Sequence, residues 1–155
     1  MSEKKPIINF ILSEKSWKTV SPLLEDEITL ALEKTSRVLS EDFSQREVSV
    51  VLTTDEEVHT LNKTFRHQDK ATNVLSFPSD EKPELGDIIL AYETVLKEAK
   101  ELGISTLHHT LHLIIHGFLH LLGYDHEADH EAEEMESLEI QILKTLNIQN
   151  PYEDK

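Results

Sequence analysis

The chain has 155 residues, of which 38% are hydrophobic, with few glycines and prolines; this length and composition predict one folded domain over residues 1–155 and exclude a disordered or fibrous chain. There is no cysteine, which excludes disulfides and thiolate ligands, so a bound metal would need histidine, aspartate or glutamate. The formal net charge of −15 opposes long-range attraction of nucleic acid, and the apolar run at 7–12 is too short for a signal peptide or a membrane span, so we expect a cytoplasmic protein.

The hydrophobic pattern predicts secondary structure in the order β, α, β, α, β, β, α, α, α. Apolar, β-rich runs predict strands at 7–12, 48–52, 74–77 and 86–90. A first helix is expected after Ser21-Pro22, a pair typical of an N-cap and first helical residue. Helical spacing and caps predict further helices at 54–65, 93–102, 107–122 and 129–146. This order favours an α+β fold, a single compact domain in which helices cover a small mixed β-sheet.

Three histidines stand close together in the stretch HGFLHLLGYDH at 116–126, on the most apolar of the predicted helices. Residues four apart on a helix lie about 6 Å apart along its axis, so His116 and His120 point the same way. Gly123 permits the left-handed conformation that ends a helix, and the short turn after it brings His126 within reach. The spacing predicts that a buried central helix carries a zinc site of His116, His120 and His126, with a fourth position open for water.

The other histidines in this region have weaker claims to be ligands. His112 lies one turn before His116, and the three residues 112, 116 and 120 would span about 12 Å, too far for one ion. We therefore expect His112 behind the ligands or in the wall of a cleft. His108, His109 and His130 are expected at the surface or at helix caps.

The acidic residues are concentrated in the second half of the chain. Residues 1–75 hold 10 basic and 13 acidic side chains, whereas residues 76–155 hold 5 and 17. Eight acids and no lysine or arginine lie between 125 and 139, a run that we interpret as a solvated helix face. A basic patch for an anionic ligand is therefore expected in the first half.

The histidine spacing is similar to that of zinc peptidases, whose helix carries a glutamate general base directly after the first histidine. Here that position is Gly117. The expected proton acceptor of a peptidase is missing, which disfavours that activity.

Three ordered motifs resemble those of the YbeY family, bacterial metal-dependent endoribonucleases of ribosomal RNA maturation. They are LNKTFRHQDKATNVLSFP at 61–78, GDIIL at 86–90 and HGFLHLLGYDH at 116–126, and the resemblance covers about residues 48–146. It implies a compact α+β fold, one zinc ion on the three histidines, and a partnership with the small ribosomal subunit and its proteins.

The resemblance also implies roles for residues outside the histidine stretch. Arg66 would be the essential cleft arginine, which together with His116 makes the catalytic pair, and its guanidinium suits phosphate. The family often has aspartate where this chain has Asn73, so we expect Asn73 to bind substrate by hydrogen bonds and not to act as a base. Lys63 is a further candidate for binding the RNA backbone.

These observations favour a zinc-dependent endoribonuclease that cuts single-stranded RNA near the 3′ end of small-subunit ribosomal RNA. We expect it to act as a monomer that binds no membrane. Two alternatives remain open at this point, namely a metallohydrolase of peptides or amides and a non-catalytic ribosome assembly factor with a structural zinc site. The sequence also leaves open whether water or the ribose 2′-hydroxyl is the nucleophile.

Overall fold

The structure, a computed structural model, describes residues 4–68, 72–125 and 128–152. Within these residues the strands are Ile7–Leu12 (β1), Glu47–Thr53 (β2), Val74–Pro78 (β3) and Glu84–Ala91 (β4). The helices are Leu24–Leu39 (α1), Asp55–Arg66 (α2), Tyr92–Leu102 (α3), Thr106–Leu121 (α4) and Asp129–Thr145 (α5). The predicted order of elements is confirmed, and an unpredicted 3-10 turn at Lys15–Thr19 is added to it.

The four strands form one mixed sheet in the order β1-β2-β4-β3. The pairs β1–β2 and β2–β4 are parallel, while β3 runs antiparallel to β4. Parallel neighbours need long crossover connections, and α1 and α2 lie in those connections. The observed architecture is therefore the α+β fold with a small mixed sheet that the sequence predicts.

Alternation along the strands gives the sheet two different apolar faces. On β4, Ile88 and Leu90 belong to the large core beneath α4, whereas Ile89 belongs to a smaller cluster with Val58 of α2. Successive strand residues point to opposite faces, so α2 covers one side of the sheet and α4 the other. The sheet edge at β3 thus lies between the end of α2 and the central helix.

Helix α4 is the buried central helix that its apolar sequence predicts. It contacts β3 and β4 on one side and α1, α3 and α5 on its others. Ile114, Ile115, Phe118 and Leu119 expose none of their surface, and burial of each such side chain contributes about 1.5–3 kcal/mol. The same packing fixes the direction in which the polar residues of α4 point.

The predicted start of the first helix, with Ser21 as N-cap and Pro22 as first residue, is wrong by two residues. The helix begins at Leu24, and Ser21 is not its N-cap. The Ser21 hydroxyl instead accepts a hydrogen bond from the backbone of Leu23 and donates one to the Glu27 carboxylate. Ser21 therefore holds a turn ahead of the helix. Among the described helices, none has both the length and the apolar character needed to cross a membrane.

Candidate functional site

His116 and His120 lie side by side at the end of α4. Their ring centroids are 4.6 Å apart and the rings are nearly perpendicular, at 84°. The helix ends at Leu121, and Gly123 follows with a φ of +100°, a conformation that glycine adopts without strain. The ring separation allows both imidazoles to bind one ion.

His126, the third predicted ligand, lies outside the described residues, so its place in the site stays a prediction. In the parts of the chain that are described, no cluster of three or more histidine, aspartate or glutamate side chains could hold a metal ion.

A buried carboxylate holds His116 from behind. The Nδ1 atom of His116 lies 2.8 Å from Oε2 of Glu139, a distance at which the ring N–H donates to the carboxylate. A neutral imidazole that gives its proton at Nδ1 carries its lone pair on Nε2, the nitrogen that binds a metal. Histidine ligands in proteins commonly donate their other N–H to a carboxylate in this way. The two histidines and Glu139 therefore fit a metal site.

Glu139 is the centre of a hydrogen-bond network. Its side chain is fully buried, and Oε1 accepts hydrogen bonds from Nε2 of His112, at 2.6 Å, and from the hydroxyl of Tyr152. Burial acts to raise the pKa of Glu139, but the hydrogen bonds from His112, His116 and Tyr152 outweigh it and lower that pKa to about 2. Burial and the Glu139 carboxylate raise the pKa of Tyr152 above its usual value. The carboxylate is therefore a charged acceptor that orients three donors.

The interpretation of residues 125–139 as a solvated face is wrong for Glu139. Along α5 the buried residues are Met135, Glu139, Ile142 and Leu143, which recur at helical spacing and form the face that packs into the core. That spacing was the signal in the sequence that could have identified Glu139 as buried. Nothing local in the sequence connects Tyr152 to it, because 13 residues separate them.

A cleft of about 520 Å³ opens beside the two histidines. It brings four predicted site residues together, because Arg66 from α2 and Asn73, just before β3, line it with His116 and His120. Lys63, exposed on α2 one turn before Arg66, is not part of the lining. Gly123, which the sequence predicts to end the helix, also lines the cleft. The remaining lining residues, which sequence reasoning did not single out, are Thr72, Val74, Ser76, Pro78, Tyr124 and Asp125.

A second carboxylate positions Asn73. The Nδ2 of Asn73 donates to Oε1 of Glu98, at 2.8 Å, and Nε2 of His109 lies 2.8 Å from the same oxygen. His109 is only 5% exposed, so the prediction that it lies at the surface or caps a helix is wrong. It is buried because α4 packs against α3, which carries Glu98. Sequence reasoning missed Glu98 as well.

Gly117 is packed closely against the sheet. A Cβ atom at this position would lie 3.0 Å from both Cγ2 of Ile88 and Oγ of Ser76. The hydroxyl of Ser76 also donates to the Gly117 carbonyl, at 3.3 Å. A glutamate at this position would have to displace Ile88 and Ser76, which adds to the argument against a peptidase.

We expect Gly117→Glu to lower the free energy of unfolding by at least about 3 kcal/mol, because it overfills the space beneath α4 and buries a charge. Gly117→Ala is the matched control and should change stability by no more than about 1 kcal/mol, since the neighbouring side-chain ends can shift and alanine favours a helix. Denaturant unfolding measures both. A stable Gly117→Glu protein that cleaves peptides would contradict this geometry.

The fold and the cleft together define an α+β protein whose central helix places paired histidines in a cleft that an arginine also lines. Comparison with known proteins identifies the family: the family model Endoribonuclease YbeY matches residues 11–147. The chain therefore belongs to the endoribonuclease YbeY family, as the sequence motifs predict.

Individual relatives agree with this assignment over nearly the whole chain. An endoribonuclease YbeY of Bradyrhizobium sp. strain BTAi1 is 43% identical, over 97% of this chain and 94% of its own. That of Chelativorans sp. strain BNC1 is 49% identical over 84% and 81%. The solution structure of a Thermotoga maritima protein matches with a TM-score of 0.61 and 26% identity, covering 96% of this chain and 97% of that one.

Proposed function

We propose that the chain is a zinc-dependent endoribonuclease that cuts single-stranded RNA in 3′-end maturation of 16S ribosomal RNA. In this proposal it acts in the cytoplasm as a monomer, on RNA within the small ribosomal subunit, in assembly and quality control. The observation that carries the proposal is the cleft itself, where Arg66 lies with His116 and His120. Membership of the endoribonuclease YbeY family supports the RNA substrate.

His116, His120 and His126 would hold the zinc ion. When bound, zinc supplies Lewis-acid polarisation of a phosphate oxygen and lowers the pKa of a bound water. The protein's contribution is to fix the donors in advance, because Glu139 keeps His116 in the tautomer and orientation that binding requires.

Arg66 and Asn73 would bind the RNA. The guanidinium of Arg66 keeps its charge and presents paired N–H donors to the oxygens of a phosphate, where charge gathers during cleavage. The side-chain nitrogen of Asn73 donates a hydrogen bond to Glu98. The side-chain oxygen, Oδ1, is therefore the atom that accepts a hydrogen bond from a substrate hydroxyl or base. Asparagine cannot serve as a base, and Asn73 therefore positions the RNA and does not take its proton.

We expect Arg66→Ala to lower the rate of single-stranded RNA cleavage by about 10²-fold, the loss that follows removal of one preorganised charge-stabilising donor. The zinc content should not change, because Arg66 is not a ligand. Cleavage of a 16S 3′-end fragment and zinc per chain are measured together, with Arg37→Ala, an arginine on α1 paired to Glu33, as control. An Arg66→Ala protein that cuts as fast as the control would sink the role of this residue.

The two alternative functions make different demands. A peptide or amide hydrolase needs a general base in the cleft, and the position that zinc peptidases use for it is Gly117, where a side chain would be crowded by Ile88 and Ser76. A non-catalytic assembly factor would support subunit assembly without cutting RNA, whichever cleft residue is replaced. A substrate with 2′-deoxyribose at the scissile nucleotide separates the two candidate nucleophiles, because unchanged cutting removes the 2′-hydroxyl mechanism.

A further inference from the structure

Phe65 is an exposed aromatic residue that directly precedes Arg66, a residue of the cleft. It exposes 65% of its surface, the highest fraction among the large hydrophobic side chains that the structure describes as exposed. The ring is nevertheless held in place, because it packs edge to face against Phe77, with centroids 6.1 Å apart and an interplanar angle of 71°. An aromatic ring that is held in place and still open to solvent exposes apolar surface on which a partner can pack, which suggests that it has one.

The position of Phe65 connects it to the cleft. It lies in the last turn of α2, directly before Arg66, which lines the cleft. Its partner Phe77 belongs to the edge strand β3, whose neighbouring residues Ser76 and Pro78 line the cleft. Successive strand residues point to opposite faces of the sheet. Phe65 and Phe77 therefore lie on the face of β3 opposite to the one that faces the histidines. A chain bound at Arg66 can pass over this edge onto the ring of Phe65.

The stretch of chain that contains Phe65 is not acidic, although the protein as a whole is. The chain carries a net charge of −15, yet residues 58–68 contain no aspartate or glutamate and include Lys63 and Arg66. Both cations lie on the last two turns of α2. An exposed aromatic ring next to a cation such as Arg66 is a combination that binds single-stranded nucleic acid, because the ring stacks on a base while the cation contacts a phosphate.

We propose that Phe65 is a stacking platform for an unpaired base of the RNA, next to the phosphate that Arg66 binds. This inference rests on the proposed function and deepens it. Bases of a duplex are already stacked and paired, so only an unpaired nucleotide reaches the ring. Phe65 therefore selects single-stranded RNA at this end of the cleft.

The test is steady-state cleavage by the zinc-loaded full chain of a single-stranded RNA oligomer. Phe65→Ala raises KM about tenfold while kcat changes little, since stacking contributes about 1–3 kcal/mol per base and Phe65 touches no reacting atom. Phe65→Leu keeps apolar bulk but has no ring and raises KM similarly, whereas Phe65→Tyr retains the wild-type KM. The control is Leu102→Ala, which removes another exposed apolar side chain in the last turn of a helix, α3. It leaves KM unchanged. Thermal unfolding of each variant checks that the fold persists.

A second arm locates the base. Oligomers that each carry one abasic nucleotide, at a different position, are compared. At one position the missing base lowers the affinity of the wild type for the oligomer but does not lower that of Phe65→Ala. If the wild type cuts RNA and Phe65→Ala has the same KM, the stacking role is overturned and the proposed function stands. The same holds if Phe65→Leu has the KM of the wild type. Loss of binding to the ribosomal subunit alone, with the oligomer cut normally, assigns Phe65 to a protein contact and overturns the inference. A wild type that cuts no RNA removes both proposals.

Discussion

We expect His120→Ala to remove the bound metal and RNA cleavage together, with cleavage falling by at least about 10³-fold, the upper end of what a single lost charge-stabilising donor costs. In the proposed site His120 shares the ion with His116, whose ring centroid lies 4.6 Å away. Loss of one imidazole would leave too few ligands to hold zinc at neutral pH. Zinc per purified chain and the rate of oligomer cleavage are the two measurements.

His130→Ala is the matched control, because His130 is another histidine of the same region but is exposed on α5 and lines no part of the cleft. It should keep both the metal and the activity. A His120→Ala protein that retains stoichiometric zinc would mean that the ion binds elsewhere. One that loses zinc and still cuts RNA would make the metal structural or incidental.

The second large effect is expected at Glu139. Glu139→Ala leaves the donors of His112, His116 and Tyr152 without their acceptor, and each such unsatisfied donor costs about 1–3 kcal/mol of unfolding free energy where it is desolvated. Glu139→Gln keeps the shape but places an amide N–H₂ in the network. If that group faces His116, the ring must accept at Nδ1 and hold its proton on Nε2, where a metal would bind. We therefore expect zinc affinity to fall about 10–100-fold.

Zinc titration and denaturant unfolding of the metal-free protein measure these two effects, with Glu133→Gln on the exposed side of α5 as control. The pH dependence has a defined sign. Because the pKa of Glu139 is lowered to about 2 from a usual value of 4.5, its charge stabilises the fold fully above pH 4.5. The stability difference between wild type and Glu139→Gln should shrink as the pH falls from 4.5 toward 2. An equal difference at all pH values would show that folding does not lower the pKa of Glu139, which would contradict the charged network.

Much of the fold could be predicted because its signals are local. Thr54, for example, was predicted to begin a helix, and its hydroxyl accepts a hydrogen bond from the backbone of Glu57 at 3.2 Å. Ser21 misled the same reasoning, because the side chain of Glu27 competes for its hydroxyl. The strand order could not be derived, since the pairing of β2 with β4 joins segments that are far apart in the chain.

The candidate site divides in the same way. The residues that face the cleft, His116 and His120, follow from helix geometry, and Arg66 and Asn73 follow from the family resemblance. The carboxylates that hold them, Glu98 and Glu139, act across contacts between helices and resemble ordinary surface acids in the sequence. Their roles depend on how α3, α4 and α5 pack, which no local pattern specifies.

Anomalous diffraction at the zinc edge, from crystals grown with zinc, tests most directly whether the three histidines hold the metal. We expect one strong site in the cleft, with nitrogen atoms of His116, His120 and His126 each about 2.0–2.1 Å from the ion and Arg66 facing it across the cleft. Zinc bound at another place on the chain, or held in the cleft without His120, would contradict this expectation.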